Sequence, residues 1–73
     1  MTYLEFETLC SYCKAGKDWI REGQNLFTVL YYCKPNLYGT IAGTHLDPFS
    51  VDSRLPACRA WLQEHWEDQN ATI

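Results

Sequence analysis

The chain has 73 residues and carries nine Asp or Glu residues against six Lys or Arg, a net charge of −3. This length leaves room for one domain, so we expect a single domain over residues 1–73 with a loose tail at 69–73. The acidic balance argues against a general nucleic-acid binder, because such affinity comes mainly from contacts between basic groups and phosphates. A hydrophobic fraction of 47% argues against a disordered chain.

The first predicted element is a helix over residues 2–14. Thr2 and Glu5 have the spacing of a capping box, in which each side chain satisfies a backbone N–H at the helix start. Apolar residues then recur at helical spacing, namely Phe6, Leu9, Cys10 and Cys13. Gly16 is expected to end the helix, because glycine readily adopts the positive φ of a C-terminal cap.

Three strands are predicted next, at residues 18–22, 26–33 and 37–43. The second strand has the strongest signal, because residues 26–33 are rich in β-branched and aromatic side chains. Residues 34–36, Lys-Pro-Asn, are typical of a turn between the second and third strands. Both faces of the second strand are apolar, so we expect one of them to meet the first helix, a second copy of the protein or a partner.

The last predicted element is a helix over residues 53–67, with Ser53 as its N-cap and Pro56 in its first turn. Its inward stripe consists of Leu55, Cys58, Trp61, Leu62 and His65. The element order is therefore α-β-β-β-α. It predicts an α+β fold in which a three-stranded antiparallel sheet has the C-terminal helix packed on one face.

This predicted order resembles that of the double-stranded-RNA-binding domain family. That family places a lysine-rich motif at the start of its last helix, where it grips phosphates. The corresponding residues here are Asp52, Ser53, Arg54, Leu55 and Pro56. The resemblance therefore implies the outline of the fold alone, and nucleic-acid binding is not carried over to this chain.

Cys10 and Cys13 form a Cys-x-x-Cys pair, a spacing at which two thiolates can share a zinc ion. Four ligands could be completed by Cys33, Cys58, His45 or His65. The chain has no second Cys-x-x-Cys pair, and its cysteines fall at core positions, where a reduced thiol behaves as a small hydrophobe. We therefore predict core thiols and no cofactor, and we keep a zinc-stabilised module as an alternative.

The two histidines are the candidates for acid–base chemistry. His65 lies on or beside the apolar stripe of the last helix with Trp61 and Trp66, which favours a packed histidine. His45 lies in a predicted loop with Asp47, and loops often carry catalytic residues. No nucleophile or metal partner is recognisable beside it, so we predict that the protein is not an enzyme.

Acidic residues crowd the end of the last helix, where the helix dipole is already negative. These residues are Glu64, Glu67 and Asp68, and they lie beside Trp66. Tyr32 and Tyr38 are among further aromatic residues that cannot all be central in so small a core. Aromatic anchors with a charged rim are typical of protein interfaces.

The leading hypothesis is a non-enzymatic protein–protein interaction module, an accessory or inhibitor protein of a bacterium or phage that occludes a partner's surface. The predicted contact residues are Trp66, Glu64, Glu67, Asp68, Tyr32 and Tyr38. A homodimer is compatible with this hypothesis. The second hypothesis is a nucleic-acid or nucleotide binder that uses the aromatic residues of the sheet as stacking platforms.

We expect a cytoplasmic protein for two reasons. Residues 1–7 carry two acidic residues where a signal peptide would carry basic ones and an apolar run. No apolar stretch approaches the roughly 18 residues that a membrane span needs, so no contact with a membrane is expected.

Overall fold

The computed structural model describes residues 1–67. In that range the chain forms helices and no β-strand. The helices are α1 (Tyr3–Lys14), α2 (Glu22–Cys33), α3 (Pro35–Ile41) and α4 (Leu55–His65), and a 3₁₀ turn (Asp52–Arg54) leads directly into α4. The prediction of an α+β fold with a three-stranded sheet is therefore wrong, and so is the outline taken from the double-stranded-RNA-binding domain.

The first helix lies where the sequence predicts it. Thr2 Oγ1 accepts a hydrogen bond from the Glu5 backbone N–H over 3.1 Å, and Glu5 Oε1 accepts one from the Thr2 N–H over 2.7 Å. The capping box is therefore formed, and the bond from the Thr2 backbone lowers the pKa of Glu5. Gly16 follows the helix with a φ of 77°, a value that favours glycine.

The segment predicted as the central strand, residues 26–33, forms most of α2. Its β-branched and aromatic residues favour a strand locally. Four buried residues nevertheless recur at i, i+3, i+4 and i+7, the spacing of one helical face, and they are Gly23, Leu26, Phe27 and Leu30. Because α2 packs against α1, α3 and the 3₁₀ turn, burial of this face outweighs the local strand preference.

The turn predicted at residues 34–36 is a junction between two helices. Pro35 is the first residue of α3, where its fixed φ suits the helix and its missing N–H leaves no bond unmade. Lys34 before it has φ −141° and ψ 70°, because a following proline disfavours the helical conformation. The third predicted strand, residues 37–43, lies mostly in α3, and the first, residues 18–22, lies mostly in the loop before α2.

The last helix begins later than predicted. Ser53 lies inside the 3₁₀ turn, and the N-cap of α4 is Arg54, which makes no side-chain capping bond. The prediction that Ser53 caps this helix is therefore wrong. Pro56 lies in the first turn of α4, as the sequence predicts.

All four helices contribute to one hydrophobic core. Its fully or almost fully buried members are Phe6, Leu26, Phe27, Leu30, Leu37, Ile41, Cys58, Leu62 and Trp66. The loop after α3 reaches this core at Gly23, where an added Cβ would lie 2.2 Å from the carbonyl oxygen of Pro48. No helix within residues 1–67 combines the length and the apolar character that crossing a membrane requires.

Candidate interaction surface

An aromatic surface without charged side chains covers one side of α2 and α3. Six side chains line a groove of about 210 Å³ there, and they are Phe27, Thr28, Tyr31, Tyr32, Tyr38 and Phe49. We call this set of residues the α2–α3 face. Tyr31, Tyr32 and Phe49 expose 51%, 77% and 42% of their surface. These are large exposed fractions for aromatic side chains, which usually bury most of their area.

The rings of the α2–α3 face hold one another in place. The Tyr31 ring lies 5.1 Å from that of Tyr38 and 5.2 Å from that of Tyr32, with the planes at 75° and 83°. Such edge-to-face pairs are favourable. The buried Phe27 ring lies 4.5 Å from Tyr38 beneath them. The α2–α3 face is therefore an ordered extension of the core.

Apart from Phe49, the α2–α3 face falls in a segment that is nearly free of charge. Between Gly23 and Leu46, Lys34 is the only Asp, Glu, Lys or Arg residue. Its Nζ donates to the backbone carbonyl of Trp66 over 3.0 Å and lies 5.1 Å from the centroid of the Trp66 ring. Lys34 is therefore engaged with the end of α4 and is not a member of the α2–α3 face.

Gln24, Thr28 and Tyr32 form a ridge along α2, because side chains four residues apart follow one another along a helix. A second groove of about 220 Å³ is lined by Cys13, Lys17, Ile20, Gln24, Asn25, Thr28, Val29 and Tyr32. Thr28 and Tyr32 line both grooves, so the ridge separates them. The Thr28 hydroxyl donates to the Gln24 carbonyl over 2.8 Å, which satisfies the polar group at the ridge's centre.

Two of the contact residues predicted from the sequence, Tyr32 and Tyr38, lie on the α2–α3 face. Trp66 does not, because it is only 2% exposed and its ring centroid lies 4.9 Å from that of Phe6. Its Nε1 donates to the carbonyl oxygen of Met1 over 2.9 Å. Trp66 is a core residue here, and its side chain is not available to a partner.

Of the acidic residues predicted as contacts, Glu64 lies in the last turn of α4 and Glu67 lies just beyond its end. Glu64 and Glu67 are exposed, and Asp68 lies outside the described residues. Glu64 Oε1 lies 3.5 Å from Nε2 of the neighbouring His65. Neither groove beside the α2 ridge is lined by Glu64 or Glu67. The structure therefore does not join these acids to Tyr32 and Tyr38 in one groove.

The cysteines are placed as packing residues and are free thiols. Burial raises the pKa of Cys10 to about 12 and that of Cys58 to about 11. Thiols with such pKa values stay protonated at neutral pH and are poor nucleophiles and ligands. Within residues 1–67, no three His, Cys, Asp or Glu side chains form a group that could hold a metal ion. The zinc alternative based on Cys10 and Cys13 therefore has no support in this part of the chain.

A further groove, of about 420 Å³, is polar and is lined by residues of α1, α2 and α4. Arg59 Nε lies 3.1 Å from Glu7 Oε2, and its Nη2 lies 2.6 Å from Glu22 Oε2. Burial opposes the charge of Arg59, but its bonds to Glu22 and Glu7 and their charges raise its pKa overall. The Tyr3 hydroxyl also donates to Glu7, and burial together with this bond raises the pKa of Tyr3. Because these groups pair with one another, we interpret them as a tie between three helices.

The histidines lie outside all of these grooves. The His65 ring stacks on Trp61 with centroids 4.4 Å apart, which agrees with the prediction of a packed histidine. His45 is exposed in the loop after α3. The second hypothesis places nucleic-acid bases on the aromatic residues of a sheet, and residues 1–67 form no sheet.

No known protein family, curated protein or solved structure matches the chain. The functional argument therefore rests on the α2–α3 face itself. Sequence reasoning missed four of its members, Phe27, Thr28, Tyr31 and Phe49. The signal that could have found the first three is the near absence of charge between Gly23 and Leu46, in a chain whose overall charged fraction is 21%. Phe49 lies beyond this segment, and no such signal marks it.

Proposed function

We propose that this protein is a non-enzymatic protein–protein interaction module whose contact surface is the α2–α3 face. The observation that supports the proposal is a surface without charged side chains, bearing three exposed aromatic rings, on an acidic chain. Apolar area left in water is unfavourable by about 25 cal/mol per Å². Contiguous exposed apolar patches are typical of interaction sites, and tyrosine is enriched at interfaces.

The groove of the α2–α3 face indicates how a partner would dock. A cavity of about 150 Å³ can take up benzene, so a groove of about 210 Å³ has room for one aromatic or branched side chain. The exposed Tyr32 ring in turn projects toward the partner. A charged group at the centre of the contact would be buried unpaired, which is strongly unfavourable. Charged side chains, Asp47 and Arg54, line only the adjoining groove beside Phe27, Tyr38 and Phe49. The expected partner surface is therefore uncharged and apolar, with hydrogen-bonding groups for the tyrosine hydroxyls at its edge.

Capture by the immobilised protein tests this proposal through a matched pair of tyrosines. Tyr12 on α1 is 80% exposed, close to the 77% of Tyr32, and it lines none of the three grooves of about 210, 220 and 420 Å³. We expect the wild type and Tyr12→Ala to recover the same partner. Tyr32→Ala should weaken binding by about tenfold or more, as the loss of an interface anchor does.

Two results would contradict the proposal. One is a partner whose recovery is unaffected by Tyr32→Ala and by Phe49→Ala. The other is a partner whose recovery falls equally with Tyr12→Ala and Tyr32→Ala, since the contact would then not be specific to the α2–α3 face. Circular dichroism of each variant establishes that its helices are intact, because all three side chains are exposed.

A further inference from the structure

The exposed ridge of α2, formed by Gln24, Thr28 and Tyr32, is a row of side chains of the kind that one helix packs against another. Rows of side chains four residues apart on one helix fit between such rows on another helix, with the axes crossing at about −50°. A symmetric contact requires one surface to present both the projecting and the receiving part. Tyr32 projects from α2, and the two grooves that it separates can each receive a ring.

The middle of the ridge permits a close approach. Thr28 is a small side chain between Gln24 and Tyr32, and it is exposed. Its hydroxyl already donates to the Gln24 carbonyl, so covering it leaves no donor unpaired. A second helix can therefore cross α2 at Thr28 without the penalty of a buried unsatisfied group.

The absence of acidic side chains from the ridge and its two grooves favours a copy of the same chain as the occupant, because two acidic chains can meet there without repulsion. Two copies with a net charge of −3 repel each other over most of their surface, but Gln24, Thr28 and Tyr32 bring no charge into a contact. The charged residue that lines the grooves beside the ridge is Lys17, whose amine is attracted by a second acidic chain. The ridge and the aromatic groove of the copy carry no charged side chain, so they supply the neutral surface that the α2–α3 face requires.

From these observations we infer that the protein pairs with a second copy of itself, with α2 of one protomer crossing α2 of its partner near Thr28. This inference rests on the proposed function, because it names the partner of the same face. The Tyr32 ring of each protomer enters a groove of the other.

Sedimentation equilibrium of the full chain, from about 10 μM to 1 mM protein, tests the pairing. Thr28→Glu places a like charge from each protomer at the crossing point. Thr8→Glu is the matched control, because Thr8 is also an exposed helical threonine and its hydroxyl donates to the Leu4 carbonyl over 3.0 Å. We expect the wild type and Thr8→Glu to dimerise alike, and Thr28→Glu to raise the dissociation constant by about tenfold or more.

A charge-swapped pair makes the test specific to the crossing point. Thr28→Lys should also weaken self-association, whereas an equal mixture of Thr28→Glu and Thr28→Lys should restore it. If the variants fail to fold, the wild type alone decides the question, through the changes in its amide chemical shifts when it is diluted. Changes confined to α2, α3, the end of α1 around Cys13 and the loops that line the grooves support the pairing. Changes confined to α4 or to the first two turns of α1 overturn it.

A wild type that stays monomeric at about 1 mM overturns the inference, as does a Thr28→Glu variant that dimerises as well as the wild type. If the monomeric wild type still captures another protein in a Tyr32-dependent way, the proposed function stands without self-pairing. If it captures nothing through Tyr32, both proposals fail.

Discussion

The indole Nε1 of Trp66 donates a hydrogen bond over 2.9 Å to the carbonyl oxygen of Met1, so the end of α4 is tied to the residues before α1. The Trp66 ring also lies 5.5 Å from that of Tyr3, edge to face. The Trp66 carbonyl accepts the bond from Lys34 at the junction of α2 and α3. A single residue therefore connects three parts of the fold that are far apart in the chain.

Replacing Trp66 should destabilise the protein strongly. Trp66→Ala removes a large buried side chain, and we expect a loss of about 3–5 kcal/mol in the free energy of unfolding. Trp19 is the matched control, because it is 75% exposed, and Trp19→Ala should change stability by less than about 0.5 kcal/mol. Urea denaturation measures both values. Similar losses in the two variants would contradict the assignment of Trp66 to the core.

Two glycines should respond to alanine in opposite directions. At Gly23 the added methyl would lie 2.2 Å from the Pro48 carbonyl oxygen, so Gly23→Ala should destabilise the fold by about 1–3 kcal/mol. At Gly39 in α3 nothing lies within 4 Å of the added methyl. Gly39→Ala should therefore stabilise the protein by up to about 1 kcal/mol, because alanine is the better helix former. Thermal unfolding of both variants checks the two signs, and a stable Gly23→Ala would refute the close packing of this loop on α2.

The pairing of Arg59 with Glu22 should contribute modestly and depend on salt. Both side chains are partly exposed, so we expect a coupling free energy of about 0.5–1 kcal/mol between them. A double-mutant cycle with Arg59→Met and Glu22→Gln measures it by urea denaturation. The coupling should shrink in 1 M salt, where the Debye length is about 3 Å. A coupling of zero at low salt would show that the ion pair does not hold α4 to α2 in solution.

The buried thiols should make the fold sensitive to alkali. Thiols ordinarily ionise near pH 9, whereas burial raises the pKa of Cys10 to about 12 and of Cys58 to about 11. Above pH 9 the unfolded chain therefore binds fewer protons than the folded one, so stability falls as pH rises through this window. Urea denaturation between pH 8 and pH 11 should show this fall, and it should be smaller in Cys10→Ala/Cys58→Ala. An equal slope in both proteins would mean that other groups, such as Tyr3, cause it.

The first helix could be predicted because its signals are local. The capping box of Thr2 and Glu5 and the apolar spacing after it lie within a few residues of one another, so no distant contact is needed to read them. Pro56 was placed correctly for the same reason. These features depend on the backbone of one helical turn, which the sequence specifies directly.

The second and third helices could not be predicted by the same means. Residues 26–33 contain Phe, Thr, Val and Tyr. These residues are common in strands because their side chains pack well on a half-buried surface, and not because the backbone itself prefers a strand. The decisive contacts come from α1, α3 and the 3₁₀ turn, which the local pattern does not reveal. Both faces of the predicted strand are apolar, and this pattern is also typical of a buried helix. Periodicity alone does not distinguish a short buried strand from a helical segment. Residues 34–36, Lys-Pro-Asn, fit a hairpin turn as well as the junction before a helix, because proline suits both a turn and the first residue of a helix.

The candidate site was predicted in part. The sequence indicates Tyr32 and Tyr38 as contact residues because so many aromatic residues cannot all fit in a small core. This counting argument does not depend on secondary structure. The same argument does not distinguish the buried Trp66 from the exposed Trp19. The partners that bury Trp66 include Met1, which lies 65 positions away in the sequence. Only the fold reveals which tryptophan has such a partner.

The central claim is that the α2–α3 face is the surface through which this protein makes contact with another chain. Site-specific photo-crosslinking tests it most directly, with a benzophenone side chain placed at position 32 or at the equally exposed position 12. We expect position 32 to give a covalent adduct, at twice the mass of the protomer in the purified protein, and position 12 to give none. Adducts at position 12 but not at position 32 would contradict the claim.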